Sequence, residues 1–158
     1  MGDFTHLNEE GRARMVDVSD KEDTKREAVA CGSVFMKPET LSLIKEGRIK
    51  KGDVLAVAQV AGIQGAKRTS DMIPMCHNIF LSGSDLSFQL DEEKGEVYIQ
   101  AKVTCTGKTG VEMEALTAVS MAALTIYDMC KAVDREMVMS NIMLLEKKGG
   151  KSGVFVRK

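Results

Sequence analysis

The sequence is poor in the residues that nucleic-acid-binding proteins use for stacking and for charge attraction. It contains no tryptophan, and aromatic residues make up only 4% of the chain. Because proteins stack single-stranded RNA bases on aromatic side chains, this scarcity weighs against an RNA-binding sheet face. The net charge of −1 gives no overall field that would attract nucleic acid or an anionic membrane. We therefore predict neither nucleic acid nor a membrane as a partner.

Cysteines are few, and none belongs to a C-x-x-C pair. The four are widely spaced, and three of them lie in apolar stretches, where a free thiol behaves as a small hydrophobe: Cys31, Cys76, Cys105 and Cys130. We expect neither a disulfide framework nor a zinc site, and we predict a reducing, cytoplasmic location. The chain also lacks an apolar run of roughly 20 residues, which a bilayer span needs, and its first residues are too polar for a signal peptide.

Hydrophobic periodicity predicts an α+β fold. Residues 1–25 are mostly charged or small and predict a flexible N-terminal arm, and residues 26–158 predict a single domain with a basic C-terminal tail. Apolar residues alternate from Ala28 to Met36, which is typical of a strand. Helices are predicted at 38–46, 54–66 (capped by Asp53) and 109–133, and further strands at 80–90, 96–106 and 137–145. The order βαββαβ predicts a ferredoxin-like fold, a four-stranded antiparallel sheet with helices on one face.

The long helix predicted at 109–133 has an unusual charge pattern. Thr109 and Glu112 match a capping box at its start. No charged residue lies between Glu114 and Asp128, and residues 54–66 are also free of charge. A helix lying on a single sheet normally keeps a polar outer face, so burial on both sides in a homo-oligomer is indicated. The alternative is that Thr, Ser, Gln and Ala provide enough polarity for a solvent-facing surface.

The charged ends of this helix are candidates for chemistry. Asp128 and Lys131 are three residues apart and can touch, and a pair beside an apolar stretch can relay protons. The alternative is that Asp128 and Lys131 form an ordinary ion pair on the helix surface, which the same spacing produces. Glu114 and Asp128 share a face but lie roughly 21 Å apart along the axis. If both ends serve one small substrate, they come from different chains or an extended ligand bridges them.

Loops and basic clusters supply further candidates. His77 follows Pro74-Met75-Cys76 in a loop, and histidine is the residue type that most often transfers protons in enzymes, although a single histidine is often structural. Basic clusters near residues 45–51, 67–68 and 147–151 fit a triphosphate better than a duplex, unless they are simply solvated. Gly150-Lys151-Ser152 is like the end of a P-loop, but position 145 is Leu where that motif needs glycine. We interpret the tail as a flexible basic clamp for phosphate.

Four segments together carry a family resemblance. They are Met15-Val16-Asp17-Val18-Ser19 leading to Lys25-Arg26-Glu27-Ala28, then residues 61–77, residues 106–132, and Gly149-Gly150-Lys151-Ser152-Gly153. Over residues 15–153 the chain resembles the cyclic pyranopterin monophosphate synthase family, also known as molybdenum-cofactor biosynthesis protein C. One departure is Asn78, where family members often have proline. It alters the stiffness of the loop but no expected catalytic atom.

The resemblance implies a lyase that converts 3′,8-cyclo-7,8-dihydro-GTP to cyclic pyranopterin monophosphate and pyrophosphate. It also implies no metal or organic cofactor, and a hexamer (a trimer of dimers) with active sites between subunits. The implied catalytic positions are Lys51, His77, Glu112, Asp128 and Lys131. The implied substrate contacts are Met75, Cys76, His77, Met113 and Glu114, and we expect Arg26, Lys67 and Lys147 to neutralise the triphosphate. The competing hypothesis is a non-catalytic ferredoxin-like module that senses a nucleotide.

Overall fold

A computed structural model describes residues 6–158, so the first five residues of the predicted arm lie outside the described part. The elements follow in the order β1 (Thr24–Phe35), α1 (Pro38–Lys45), α2 (Val54–Lys67), α3 (Thr69–Met72), β2 (Gly83–Asp91), β3 (Glu96–Gly107), α4 (Glu112–Cys130), β4 (Val138–Lys148) and β5 (Phe155–Val156). Among residues 6–158, no helix combines the length and apolarity needed to cross a membrane.

The strands form one antiparallel sheet in the order β2-β3-β1-β4-β5. The central strand β1 pairs with β3 along its whole length, from Thr24 opposite Gly107 to Phe35 opposite Glu96. Its other edge pairs with β4. The first four strands and the helices between them give the predicted ferredoxin-like α+β fold, which is confirmed. The short strand β5 is an addition to the four strands that were predicted.

Helices α2 and α4 pack against one another over the sheet. Two glycines of α2 permit a close approach: a Cβ at Gly62 would lie 3.0 Å from the Ala118 carbonyl oxygen, and one at Gly65 would lie 2.5 Å from Met121 Cγ. Small α4 residues such as Ala118 and Ala122 are fully buried. Helix α4 is therefore covered by the sheet and by α2 of the same chain, so its lack of charge does not by itself require a second subunit.

The exposed apolar surface instead belongs to α2. Val57 and Val60 point away from the sheet, and Val60 is 68% exposed. Together with Ala56, Ala61 and Gln64 they line a shallow apolar groove. Contiguous apolar surface of this kind is typical of protein contacts.

The bounds of two elements, α4 and β2, differ from the prediction. Helix α4 begins at Glu112 with Val111 as its N-cap and without a side-chain cap, so the predicted capping box from Thr109 is wrong. Thr109 and Gly110 are loop residues, and the Glu112 carboxylate lies over Gly110. Strand β2 begins at Gly83, because residues 80–82 precede the sheet pairing. Helix α4 ends at Cys130, three residues before the predicted end.

The C-terminal tail is not a simple extension of β4. Strand β5 returns alongside β4, with Phe155 opposite Lys147 and Val156 opposite Glu146. Arg157 adds two hydrogen bonds: its backbone N–H donates to the Leu145 carbonyl (2.8 Å) and its Nε to the Leu144 carbonyl (2.7 Å). The glycine-containing segment between the two strands is thus the loop of a hairpin.

Candidate active site

A pocket of about 280 Å³ lies at the N-terminal end of α4, and we call it the carboxylate pocket. Four segments of the chain form it: the arm, the loop after α3, the loop before α4, and the first turn of α4. Its lining residues are His6, Val16, Val18, Lys21, Met75, Cys76, His77, Ile79, Thr109, Gly110, Glu112, Met113 and Glu114. Loops on a rigid scaffold are the usual place for a binding site.

Glu114 is the unusual group of this pocket. It is only 3% exposed, and burial raises its pKa to about 7, with the negative charge of Glu112 adding to the effect. A carboxyl with this pKa is part protonated and part ionised at neutral pH, so it can donate or accept a proton. The first turn of α4 explains why a carboxylate is placed here, because the helix dipole favours negative charge at that end.

His77 and Cys76 lie beside the two carboxylates. The Nε2–H of His77 donates to the main-chain carbonyl of Val16 at 2.5 Å, since a carbonyl oxygen can only accept. This leaves Nδ1 as the ring nitrogen that can accept a proton. The pKa of the Cys76 thiol is raised, by burial first and by Glu114 second. Cys76 is therefore a neutral thiol rather than a thiolate nucleophile.

A second pocket of about 150 Å³, which we call the basic pocket, adjoins the first. The two share Lys21, Thr109, Gly110 and Glu112. The other lining residues of the basic pocket are Arg26, Glu27, Lys108, Lys147, Lys148, Gly149 and Ser152. Five cationic side chains against two carboxylates give this pocket an excess of positive charge, which suits an anion.

Arg26 organises the walls of the basic pocket. Its buried guanidinium donates from Nε to the Gly107 carbonyl and from Nη2 to the Lys108 carbonyl, both at 3.1 Å. Gly150 packs directly on the same group, since a Cβ there would lie 1.9 Å from Nη1 of Arg26. One side chain therefore holds the loop before α4 and the loop of the C-terminal hairpin together. Lys147 Nζ bonds to Ser152 Oγ across that hairpin loop.

The other end of α4 carries a separate charged cluster. Lys131 Nζ lies 2.9 Å from Asp128 Oδ1, and Lys51 Nζ lies 2.9 Å from Asp128 Oδ2 and also 2.9 Å from its carbonyl oxygen. Lys131 first, and Lys51 second, lower the pKa of Asp128 to about 2. All three side chains are about half exposed. An exposed triad of this kind contributes little to stability, so folding alone does not explain it.

Comparison with known proteins shows the family of this chain. The MoaC family model matches residues 15–150. The chain is 70% identical over 154 residues to a cyclic pyranopterin monophosphate synthase of Thermoanaerobacter sp. (strain X514), covering 98% of each chain. It is 66% identical to the protein of that name from Clostridium acetobutylicum (98% of this chain, 96% of the relative) and 62% identical to that from Heliobacterium modesticaldum (99% of each). The chain belongs to the MoaC family. The resemblance read from the sequence is confirmed.

The fold of this MoaC family member brings together most of the predicted site residues, in two groups. The carboxylate pocket holds Met75, Cys76, His77, Glu112, Met113 and Glu114, and the adjoining basic pocket holds Arg26 and Lys147. Lys51, Asp128 and Lys131 form the second group at the far end of α4. Lys67, at the end of α2, lines neither pocket.

Two basic residues of the site were missed by the sequence reasoning. Lys21 belongs to the arm, where its neighbours are mostly charged and give no pattern. Lys108 lies within residues 106–132, one of the four segments that carry the family resemblance, but no periodicity or spacing distinguishes it from a solvated lysine. Only the packing of the arm against the loop before α4 places both at the basic pocket.

Proposed function

We propose that this MoaC family member converts 3′,8-cyclo-7,8-dihydro-GTP to cyclic pyranopterin monophosphate and pyrophosphate in molybdenum-cofactor biosynthesis. The observation that carries this proposal is the junction of the carboxylate pocket with the basic pocket at the start of α4. A guanine-derived ring needs hydrogen-bond acceptors, and its triphosphate needs cations directly beside them. Relatives named cyclic pyranopterin monophosphate synthase, of which 98% and 96% of the length is matched, favour an enzyme over a nucleotide-sensing module.

The carboxylate pocket suits the ring system. Glu112 and Glu114 accept N–H groups of the guanine-derived ring, for which carboxylates are strong acceptors. Glu114, with a pKa of about 7, also returns a proton when it is in its neutral form. His77 relays a proton through Nδ1, because its other nitrogen is engaged by Val16. Opening of the five-membered ring and closure of the pterin need proton transfers of this kind.

The basic pocket suits the triphosphate. Lys21, Lys108 and Lys147 neutralise the phosphate oxygens, and Arg26 holds the pocket's two loops in place. When the cyclic phosphate forms, a sugar hydroxyl oxygen bonds to the α-phosphorus. The bond between the α-phosphorus and the oxygen that leaves with pyrophosphate breaks. Cations around the departing pyrophosphate stabilise the negative charge that develops on it.

The Asp128 cluster supplies the general acid/base pair from a neighbouring chain. Asp128 is about 21 Å from Glu114 by helix rise, so the two cannot contact one compact substrate within a single chain. We infer a homo-oligomer, a hexamer built as a trimer of dimers, in which Asp128, Lys131 and Lys51 of one subunit complete the pocket of another. The exposed apolar groove of α2 supports a chain–chain contact. The four free thiols fit the reducing cytoplasm in which we place the enzyme.

The reaction is tested by incubating the purified protein with 3′,8-cyclo-7,8-dihydro-GTP and measuring pyrophosphate and pterin together. We expect equal amounts of both products, and loss of both with Lys131→Ala. Lys94→Ala is the matched control, because Lys94 pairs with Asp91 on the β2–β3 turn and lines neither pocket. Tight binding of the nucleotide without pyrophosphate would instead identify the chain as a sensing module.

The sharing of sites between subunits is tested by complementation. Glu112→Ala and Lys131→Ala remove groups at opposite ends of α4. Subunits of the two inactive variants, mixed by unfolding and joint refolding, should recover about a quarter of the unaltered activity, since random pairing in a two-fold dimer restores one intact site in half of the dimers. No recovery, with a mass of a single chain in light scattering, would contradict the oligomer proposal.

A further inference from the structure

Residues 16–19 of the arm lie against the carboxylate pocket and are pinned at both ends. We propose that this segment is a positioning element for His77, with the Val16 carbonyl holding the imidazole and with Asp17 and Lys108 holding the segment. The inference rests on the proposed function, in which His77 relays a proton. It gives a catalytic purpose to a part of the chain whose composition predicted only a flexible arm.

The first contact fixes the ring of His77. Its Nε2 lies 2.5 Å from the Val16 carbonyl oxygen, in a part-buried position. A carbonyl oxygen has no hydrogen to give, so the contact selects the tautomer with its proton on Nε2. A histidine used as a proton relay needs one nitrogen oriented by a partner and the other ready to accept. In many enzymes a carboxylate does this, whereas here the partner is a main-chain oxygen of the arm.

The second and third contacts fix the position of that oxygen. The Asp17 carboxylate accepts from the backbone N–H of Ser19 at 2.8 Å and from its hydroxyl at 2.6 Å, which closes a turn directly after Val16. Lys108 Nζ then donates to the Ser19 carbonyl at 2.6 Å. Since Lys108 belongs to the loop before α4, the segment runs from the His77 loop to that loop. Its residues Val16 and Val18 form part of the pocket wall between them.

The rest of the described arm offers a matched comparison. Asn8 closes a similar turn, accepting from the backbone N–H groups of Glu10 (3.1 Å) and Arg12 (2.8 Å). Both turns are exposed, and neither Asn8 nor Asp17 lines the carboxylate pocket itself. The hairpin that Asn8 closes carries His6, another residue of the pocket wall, through the Arg14 N–H to His6 carbonyl bond (2.8 Å). Of the two turns, the one at Asp17 directly follows the carbonyl that accepts from His77.

The kinetic test compares Asp17→Ala with Asp17→Asn and Asn8→Ala. Asp17→Ala opens the turn, and a misplaced relay should lower kcat about tenfold with little change in KM. Asp17→Asn keeps the accepting Oδ1 and should restore most of kcat, and Asn8→Ala should match the unaltered protein. A rise in KM at constant kcat, or an equal loss with Asn8→Ala, would overturn the inference.

A double-mutant cycle shows whether the effect passes through His77. In a His77→Ala background the arm has no imidazole to hold, so adding Asp17→Ala should cause no further loss of kcat. If Asp17→Ala costs the same factor in both backgrounds, the segment acts on something other than His77 and the inference is wrong.

A spectroscopic readout needs no turnover. The chain has two histidines, His6 and His77. In protein labelled with ¹⁵N-histidine, solid-state NMR distinguishes the tautomers, and the signal of His77 is the one that disappears in His77→Ala. At pH 8 we expect the Nε2–H tautomer in the unaltered protein and a mixture in Asp17→Ala. A mixture of tautomers in both proteins, or the Nδ1–H tautomer in the unaltered protein, would refute the inference. If the unaltered protein is inert toward the cyclised nucleotide, the proposed function fails, and the NMR result still decides the orientation of His77.

Discussion

Replacing Glu114 with glutamine should stabilise the protein by an amount that grows with pH. Glu114 is 3% exposed, and burial raises its pKa from 4.5 to about 7. The folded state therefore favours the neutral carboxyl, whereas the unfolded chain ionises it freely. Below pH 4.5 both states hold the proton and the group has no effect. Above pH 7 both have lost it, and the folded state bears the full cost of a buried charge.

The size of this effect follows from the pKa itself. One pKa unit is worth about 1.4 kcal/mol, so a rise from 4.5 to about 7 costs the folded state about 3 kcal/mol at alkaline pH. Glutamine is nearly the same shape and neutral at every pH. The stabilisation is the free energy of unfolding of Glu114→Gln minus that of the unaltered protein. This difference should be roughly 2 to 3 kcal/mol larger at pH 8 than at pH 5.

The assay is urea unfolding of both proteins at pH 5 and pH 8. One protein concentration is used throughout, because the unfolding midpoint of an oligomer depends on it. Glu93→Gln is the control, since Glu93 is an exposed residue of the β2–β3 turn. Its free energy of unfolding should differ from that of the unaltered protein by the same amount at pH 5 and pH 8. If the difference in free energy of unfolding between Glu114→Gln and the unaltered protein is the same at both pH values, the argument from a buried carboxyl is refuted.

Three further predictions concern the other features of the chain. Lys131→Ala should lower kcat at least a hundredfold while leaving the urea midpoint nearly unchanged, because the Asp128 cluster is half exposed; a large fall in the midpoint would make its role structural. Lys147→Ala should raise the KM for the cyclised nucleotide and weaken its salt dependence, as fluorescence or kinetic titration at two salt concentrations would show, whereas Lys94→Ala, on the β2–β3 turn, should do neither. Gly62→Ala should lower the free energy of unfolding by about 1–2 kcal/mol, since the new Cβ would lie 2.5 Å from Leu86 Cδ2 and 3.0 Å from the Ala118 carbonyl oxygen. Gln64→Ala, on the exposed side of the same helix, should change it little, and equal effects would refute the packing argument.

Much of the fold could be predicted because local patterns and tertiary structure agree. The apolar run of β1, in which residues 28–34 are all buried, was readable from the sequence as a strand. So was the Asp53 cap of α2, whose carboxylate accepts from the Ala56 N–H at 3.0 Å. The start of α4 was not, since the Glu112 carboxylate lies over Gly110 and Thr109 stays in the loop. Strand β5 was missed because two residues carry no periodicity, and their pairing with β4 depends on the loop between them.

The site was predictable only where family motifs or helix spacing identified it. The contact of Asp128 with Lys131 follows from their spacing, and the structure adds Lys51, which is 77 positions from Asp128 along the chain. The charge-free stretch of α4 suggested a second subunit, but α2 of the same chain covers it. Contacts across the fold, such as that of Val16 with His77, leave no trace in composition or spacing.

The placement of functional groups at opposite ends of α4 has a consequence for how activity depends on concentration. One helix carries part of a proposed site at each end, so a single chain contains the two parts but cannot bring them together into one complete site. In the oligomer that we propose, the unit that turns over substrate is the contact between chains, and the number of working sites equals the number of such contacts. With the sharing of sites that we propose, diluting the protein until its subunits separate should lower the activity per chain toward zero.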